Sequence, residues 1–333
     1  MLRIYLDQNK WVDLARAATG HRHGARFVDA LASARAAVAA GAASFPLDIY
    51  RYLETGKRRD DRSRVDVADI MFELSQQHTM ARPHVLLPTE IDRALTRRFG
   101  RPEHPRQHQV FGTGLRHMTA REVTWPSFDH TRLPDEIAVA SPDEVVELER
   151  LYNNLVEREL LRMGPDTVRE AGFDPTDSEF GQRFVNYENS IADAIRERGL
   201  SGHLLDVAVR ASDLGGVQSA VTEALQRIGI TWEGFVGPMT PAEVMNFMDD
   251  LPTRCVTNVM RSAKLRQTQQ KWESNDFNDI VALPVAAVYC DIVVTEKQWV
   301  HRLRQGKVDQ RYNTTLLSDA AELVDVLVAA LNT

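Results

Sequence analysis

Arg3-Ile4-Tyr5-Leu6-Asp7 and Ser44-Phe45-Pro46-Leu47-Asp48 are two short apolar runs, each ending on a carboxylate and each followed by helical spacing. After the first run comes a helix-like segment from Trp11 to Ala18. Residues 25–40 are alanine-rich, with Phe27, Val28, Leu31 and Val38 on one helical face and Gly41 placed to stop it. The second run carries its proline near the start and leads into a helix from Ile49 to about Lys57. A β-α-β-α opening of this kind predicts a parallel sheet flanked by helices.

Reading outward, the chain changes character between about residues 63 and 270, where helical patterns dominate and convincing strands are almost absent. Ser141-Pro142-Asp143-Glu144 and Thr240-Pro241-Ala242-Glu243 each combine a capping box with proline at the first helical position. Segments 176–198, 216–228 and 252–270 have helical spacing, whereas 100–132 reads as irregular. The α/β pattern resumes with a helix over 276–288, a buried strand Asp291–Glu296, a strand from Tyr312 to Leu317 and a closing helix from Asp319 to Leu331. The sequence thus predicts a discontinuous α/β core, residues 1–62 and 270–333, interrupted by a mainly helical insertion over 63–269.

The 333 residues, 43% hydrophobic and 26% charged, exclude disorder as the main state and coiled-coil or collagen-like character. No apolar run approaches the ~18 residues of a membrane-spanning helix. Two cysteines, Cys255 and Cys290, cannot staple a fold, and no export leader is visible, so a reduced cytoplasmic setting is expected. The net charge of −7 argues on its face against a nucleic-acid partner. It is unevenly spread. Residues 134–194 hold 15 acids against 5 arginines and no lysine, a local balance of −10, which leaves the rest of the chain at +3.

In open parallel sheets, ligands bind beyond the carboxyl ends of the strands. Asp7 ends the first strand, and Glu54 lies on the helix that leaves the second. Asp276 and Asp279 share one side of a helix opened by Ser274-Asn275, and Glu296 ends a later strand. Asp291 begins that strand, roughly 13 Å from its far end at about 3.3 Å per residue, and is discounted. Each acid also has a structural reading. Asp7 suits an N-cap, Glu54 a solvated helix face, and Asn275 and Asp276 are natural caps. Convergent carboxylates repel unless a cation sits among them, and oxygen-only ligands suit Mg²⁺ or Mn²⁺. Two such ions promote phosphodiester hydrolysis.

The ordered set strand–Asp7, helix–Glu54, Asp279-Ile-Val-Ala282-Leu-Pro-Val-Ala286 and Asp291-Ile-Val-Val-Thr295-Glu296 resembles the PIN domain family of metal-dependent ribonucleases. The resemblance covers residues 1–60 and 270–333. It implies an endoribonuclease in which Asp7, Glu54, Asp279 and Glu296 hold Mg²⁺ or Mn²⁺ and water hydrolyses RNA. Asp276 is an additional ligand, and Asn9, Asn275 and Thr295 support the site. The family often places its fourth acid one residue later, where this chain has Lys297. Glu90 is a rival for the early-helix acid. By analogy with the family's toxins, an antitoxin-like protein partner and self-association also fall within the reading.

Lys57, Arg58, Arg59 and Arg62 follow Glu54 and are candidate phosphate contacts, with Arg64, Arg93, Arg97, Arg98, Arg101 and Arg106 further along. Trp11, Trp272 and Trp299 lie beside the acidic segments and suit either base stacking or core packing. His21, His23, His104, His108 and His117 lack zinc-ligand spacing, and no dinucleotide, P-loop or nucleophile-elbow motif occurs. Two other function classes stay open: a catalytically incomplete PIN-like module that binds a protein or RNA partner, and a small-molecule phosphohydrolase.

Overall fold

The computed structural model describes residues 1–100, 109–120, 128–129, 141–170, 179–267 and 270–332. Strand β1 (Leu2–Leu6) runs into α1 (Gln8–Ala18), a 3-10 turn over Arg22–Phe27 and α2 (Val28–Ala39). Gly41, at φ +66°, turns the chain into β2 (Ala43–Ser44), which pairs in parallel with β1. This strand is shorter than the predicted run to Asp48. Pro46 has no N–H to give a ladder, and pairing resumes only as a single parallel bridge from Leu47 to Thr79.

Helices α3 (Ile49–Gly56) and α4 (Asp61–Ser75) follow, then β3 (His78–Met80) and α5 (Pro83–Phe99). Next come β4 (Phe111–Thr113), antiparallel to β3, and the short α6 (Gly114–Met118). The β3–β4 pair is the exception to the helical reading of the middle. Both strands are three residues long, too short to show alternation. Within 100–132, residues 101–108, 121–127 and 130–132 lie outside the described residues.

The helical stretch continues as α7 (Pro142–Arg162), α8 (Pro165–Glu170), α9 (Glu179–Glu197) and α10 (Gly202–Gly216). Beyond it lie α11 (Gln218–Arg227), α12 (Trp232–Val236), α13 (Pro241–Asp249) and α14 (Pro252–Leu265). Both predicted capping boxes form, at the starts of α7 and α13. The chain then gives α15 (Asp276–Tyr289), β5 (Ile292–Val294), α16 (Lys297–Gln305) and α17 (Val308–Tyr312). It ends with β6 (Thr315–Leu317), parallel to β5, a 3-10 turn over Ala320–Glu322 and α18 (Leu323–Leu331). Tyr312, expected in a strand, closes α17 instead, because Asn313 adopts the left-handed conformation (φ +52°) that ends a helix turn.

The protein is therefore mixed α/β and mostly helical, with helices accompanying short parallel strands. Two compact units are present. The first comprises Met1–Ala81, Phe111–Thr176 and Asp319–Thr333. In it α1 packs on α2 and α4, α4 on α7, and α18 on α2, over buried Ile4, Leu6, Trp11, Leu14, Phe45, Met71 and Leu74. The second comprises Arg82–Val110 and Asp177–Ser318. Helix α5 belongs there because Ile91, Ala94 and Leu95 join a core with Leu214, Val221, Leu225, Phe235 and Phe247. Strands β5 and β6 lie within the residues of the second unit. No helix among the described residues is long and apolar enough to cross a membrane.

Candidate functional site

In the first unit, the buried Ile4-Tyr5-Leu6 segment delivers Asp7 at the carboxyl end of β1. Asp7 caps α1, with Oδ1 accepting from Gln8 N (2.7 Å), and the same oxygen accepts from Arg51 Nη1 (2.6 Å). One oxygen of Asp7 thus serves both the helix cap and the ion pair with Arg51. Asp48 caps α3 by accepting from Arg51 N (3.0 Å). Asp48, Arg51 and Glu54 recur every three residues and so share one face of α3. Arg51 Nη2 lies 3.0 Å from Glu54 Oε2, and Arg51 Nε lies 3.8 Å from Asp48 Oδ1.

Arg51 is only 1% exposed, yet it stays charged. Burial alone would lower its pKa, but Tyr5, Glu54, Asp48 and Asp7 around it hold the guanidinium well above the usual arginine value. Burial in turn pushes the Tyr5 phenol far up, against the pull of Arg51, so Tyr5 is a neutral hydroxyl at physiological pH. Its ring centroid lies 5.7 Å from the guanidinium carbon. Gln8 on α1 donates to Thr55 on α3 (3.0 Å), tying the two helices beside the acids. Sequence reasoning missed Asp48 and Arg51. Their three-residue spacing from Glu54 puts all three on one face, but spacing alone does not mark Arg51 as buried.

The second unit holds the later acids. Asn275 stands at the N-cap position of α15 without a side-chain capping bond. Asp276 is buried and accepts from Lys264 Nζ (2.5 Å) and Glu273 N (2.6 Å). Lys264 also sits 4.8 Å over the Trp272 ring, so Asp276 is committed to a buried ion pair. Asp279, one turn along α15, accepts from the indole of Trp299 on α16 (2.7 Å). Thr295 is buried just past β5, its N–H donating to Leu317 O (3.0 Å). Glu296 stands at the N-cap position of α16 and accepts from Gln298 Nε2 (2.8 Å). Asp291 precedes β5 and is exposed, at the opposite end of the strand from Glu296.

Glu90 has a structural role. It is 1% exposed and caps α14, accepting from Thr253 N (3.2 Å) and Thr253 Oγ1 (2.8 Å) and from Tyr289 OH (3.0 Å). Burial raises its carboxyl, with the Thr253 and Tyr289 bonds opposing. The three tryptophans are buried, Trp11 and Trp299 fully, so in this structure they pack the interior rather than present a stacking face.

Asn9, Lys57, Arg59 and Arg62 are exposed. Arg58 is half-buried and donates to Ser63 Oγ (2.7 Å), and burial lowers its guanidinium with Arg16 adding to the effect. Arg64 is not a surface cation, since it is buried and donates to Arg162 O (2.9 Å) and Arg58 O (2.8 Å). His21 accepts from His23 N (3.2 Å), and His117 pairs with Thr79 (2.8 Å). Arg101, His104, Arg106 and His108 lie outside the described residues.

Among the described residues, no three His, Cys, Asp or Glu side chains are arrayed to ligate a metal. The donor chemistry nevertheless suits a hard divalent cation. Asp7, Asp48 and Glu54 bring three carboxylates to one cation, and one guanidinium leaves that group with an excess of negative charge. Comparison with family models, curated proteins and solved structures finds no match to this chain.

Proposed function

We propose that the protein is a metal-dependent, PIN-like endoribonuclease. The observation that carries the reading is the convergence of Asp7 and Glu54, far apart in sequence, on a single buried cation at the carboxyl end of β1. Asp7, Glu54, Asp279 and Glu296 are the ligands this reading assigns to Mg²⁺ or Mn²⁺. Asp276, Asn9, Asn275 and Thr295 are assigned supporting roles, and Lys57, Arg58, Arg59 and Arg62 contact the phosphate backbone. The cation supplies activation of water and stabilisation of the leaving oxygen of a phosphodiester. The acids' own contribution is to place negative charge where only a cation relieves it.

The test is incubation of the purified protein with labelled RNA, with Mn²⁺ and with EDTA. Cleavage is expected with Mn²⁺, with loss in EDTA and a fall of at least about a hundredfold in Asp7→Asn and Asp279→Asn. Cleavage that persists in EDTA or in both variants overturns the reading. One observation favours a second reading, a binding module without catalysis: Arg51 already supplies positive charge between Asp7 and Glu54. Retention of RNA with no cleavage in any divalent cation would select it.

A further inference from the structure

A cavity of about 330 Å³ lies within the second unit, between α10, α14 and α16. That volume falls at the low end of the roughly 300–1,000 Å³ typical of small-ligand sites. Its lining includes Arg210, Ser262, Arg266 and Arg302, with Asp206 as the one lining carboxylate. Arg266 is tied to Asp206 by paired bonds of 2.5 and 2.6 Å, and Arg210 Nε donates to Asp249 (2.8 Å).

Two donors carry the argument further. Arg302 is 2% exposed, and its Nη2 donates to Gln267 and Gln270 while its Nη1 has no partner among the described residues. Ser262 is also 2% exposed, and its Oγ has no partner among the described residues either. Buried donors without acceptors are rare in folded proteins and costly, so a site that holds two of them asks for an acceptor-rich guest. Guanidiniums match the planar pairs of oxygens on a phosphate. We propose that this cavity binds a phosphate-type oxyanion, with Arg302 and Ser262 as its principal donors.

The site adjoins Asp279 through covalent and hydrogen-bonded steps. Arg302 lies one helical turn from Trp299 and stacks on its ring (4.6 Å), and the Trp299 indole holds Asp279 (2.7 Å). An oxyanion on Arg302 thus bears on the side chain that orients Asp279. The binding proposal itself holds whether or not the protein hydrolyses RNA.

Calorimetric titration of the full chain with inorganic phosphate tests it. One equivalent is expected to bind with a dissociation constant below about 1 mM. Arg302→Gln is expected to weaken binding at least about tenfold. Because Arg302 is buried, Ala263→Met, which fills the cavity from its lining and removes no ion pair, serves as a second variant and is expected to do the same. Circular dichroism checks that both remain folded. Absence of saturable binding, or binding unchanged in a folded Ala263→Met protein, overturns the proposal. RNA with a 5′-phosphate that binds more tightly than its 5′-hydroxyl counterpart supports the site with a nucleic-acid strand as the source. Equal binding of the two RNAs beside saturable phosphate binding supports it with a free anion.

Discussion

Burying a guanidinium among carboxylates makes each partner depend on the other, because removal of one leaves the rest charged and poorly hydrated. Arg51→Leu is expected to cost about 3–5 kcal/mol, read from urea denaturation. The same variant tests the metal assignment without measuring catalysis. With the guanidinium gone, Mn²⁺ should raise the melting temperature of Arg51→Leu more than that of the parent protein, since a ligand stabilises the state that binds it. Equal, absent shifts in both proteins count against the assignment. Glu157 on α7 makes a second residue-scale case. It is buried, its Oε1 accepts from Leu115 N (3.0 Å), and burial pushes its carboxyl from 4.5 up to about 7 against that bond. The folded state therefore keeps a proton that the unfolded chain has lost between these values. Its contribution to stability is full below pH 4.5, falls as the pH rises, and is gone above about 7, a span of about 3 kcal/mol. Glu157→Gln should then match the parent near pH 4.5 and exceed it by up to that amount at pH 8. At this scale Asp7 and Glu54 were legible because each follows a strand-like run. Asp48 and Arg51 were not, because a buried arginine looks in sequence like any helix-face cation.

Elements whose signals are local were readable. The capping boxes of α7 and α13 and the glycine after α2 are fixed by residues a turn apart, and each appears where the sequence placed it. Strands were readable where an apolar run marked them, as at β1, β5 and β6, while β3 and β4 draw their pairing from residues some thirty positions away. The entry to α2 shows a requirement that composition hides. A Cβ on Gly24 would stand 2.2 Å from the carbonyl carbon of Arg16 and 2.3 Å from the nitrogen of Ala17, both backbone atoms that cannot swing aside. Gly24→Ala is expected to destabilise by about 1–3 kcal/mol through overpacking of the 3-10 turn on α1, measurable as a lowered urea midpoint.

For the whole molecule, each of the two compact units gathers stretches that lie far apart in sequence. An apolar helix face states that it must be covered and not by what. Helix α5 satisfies its face with α11 and α14, and so carries residues 82–99 away from the neighbours they have in sequence. Charge is a property of the same scale. If Lys57, Arg59 and Arg62, all exposed, meet RNA phosphates, replacing the three with alanine should lower the slope of log affinity against log salt by about 2 for single-stranded RNA. Fluorescence anisotropy across a salt series reads this, and an unchanged slope removes these residues from the interface.

Helix α18 rests on α2, which places residues 323–331 in the same unit as the opening strand. A chain made from its amino end at about 5–20 residues per second must therefore complete the whole of the second unit before the first can close. Until then α2 waits with the apolar face that α18 covers exposed, for roughly 15 seconds or more at that rate. The first unit is thus begun early and finished last, and its nascent form, rather than its native form, is the one exposed to chaperones and proteases.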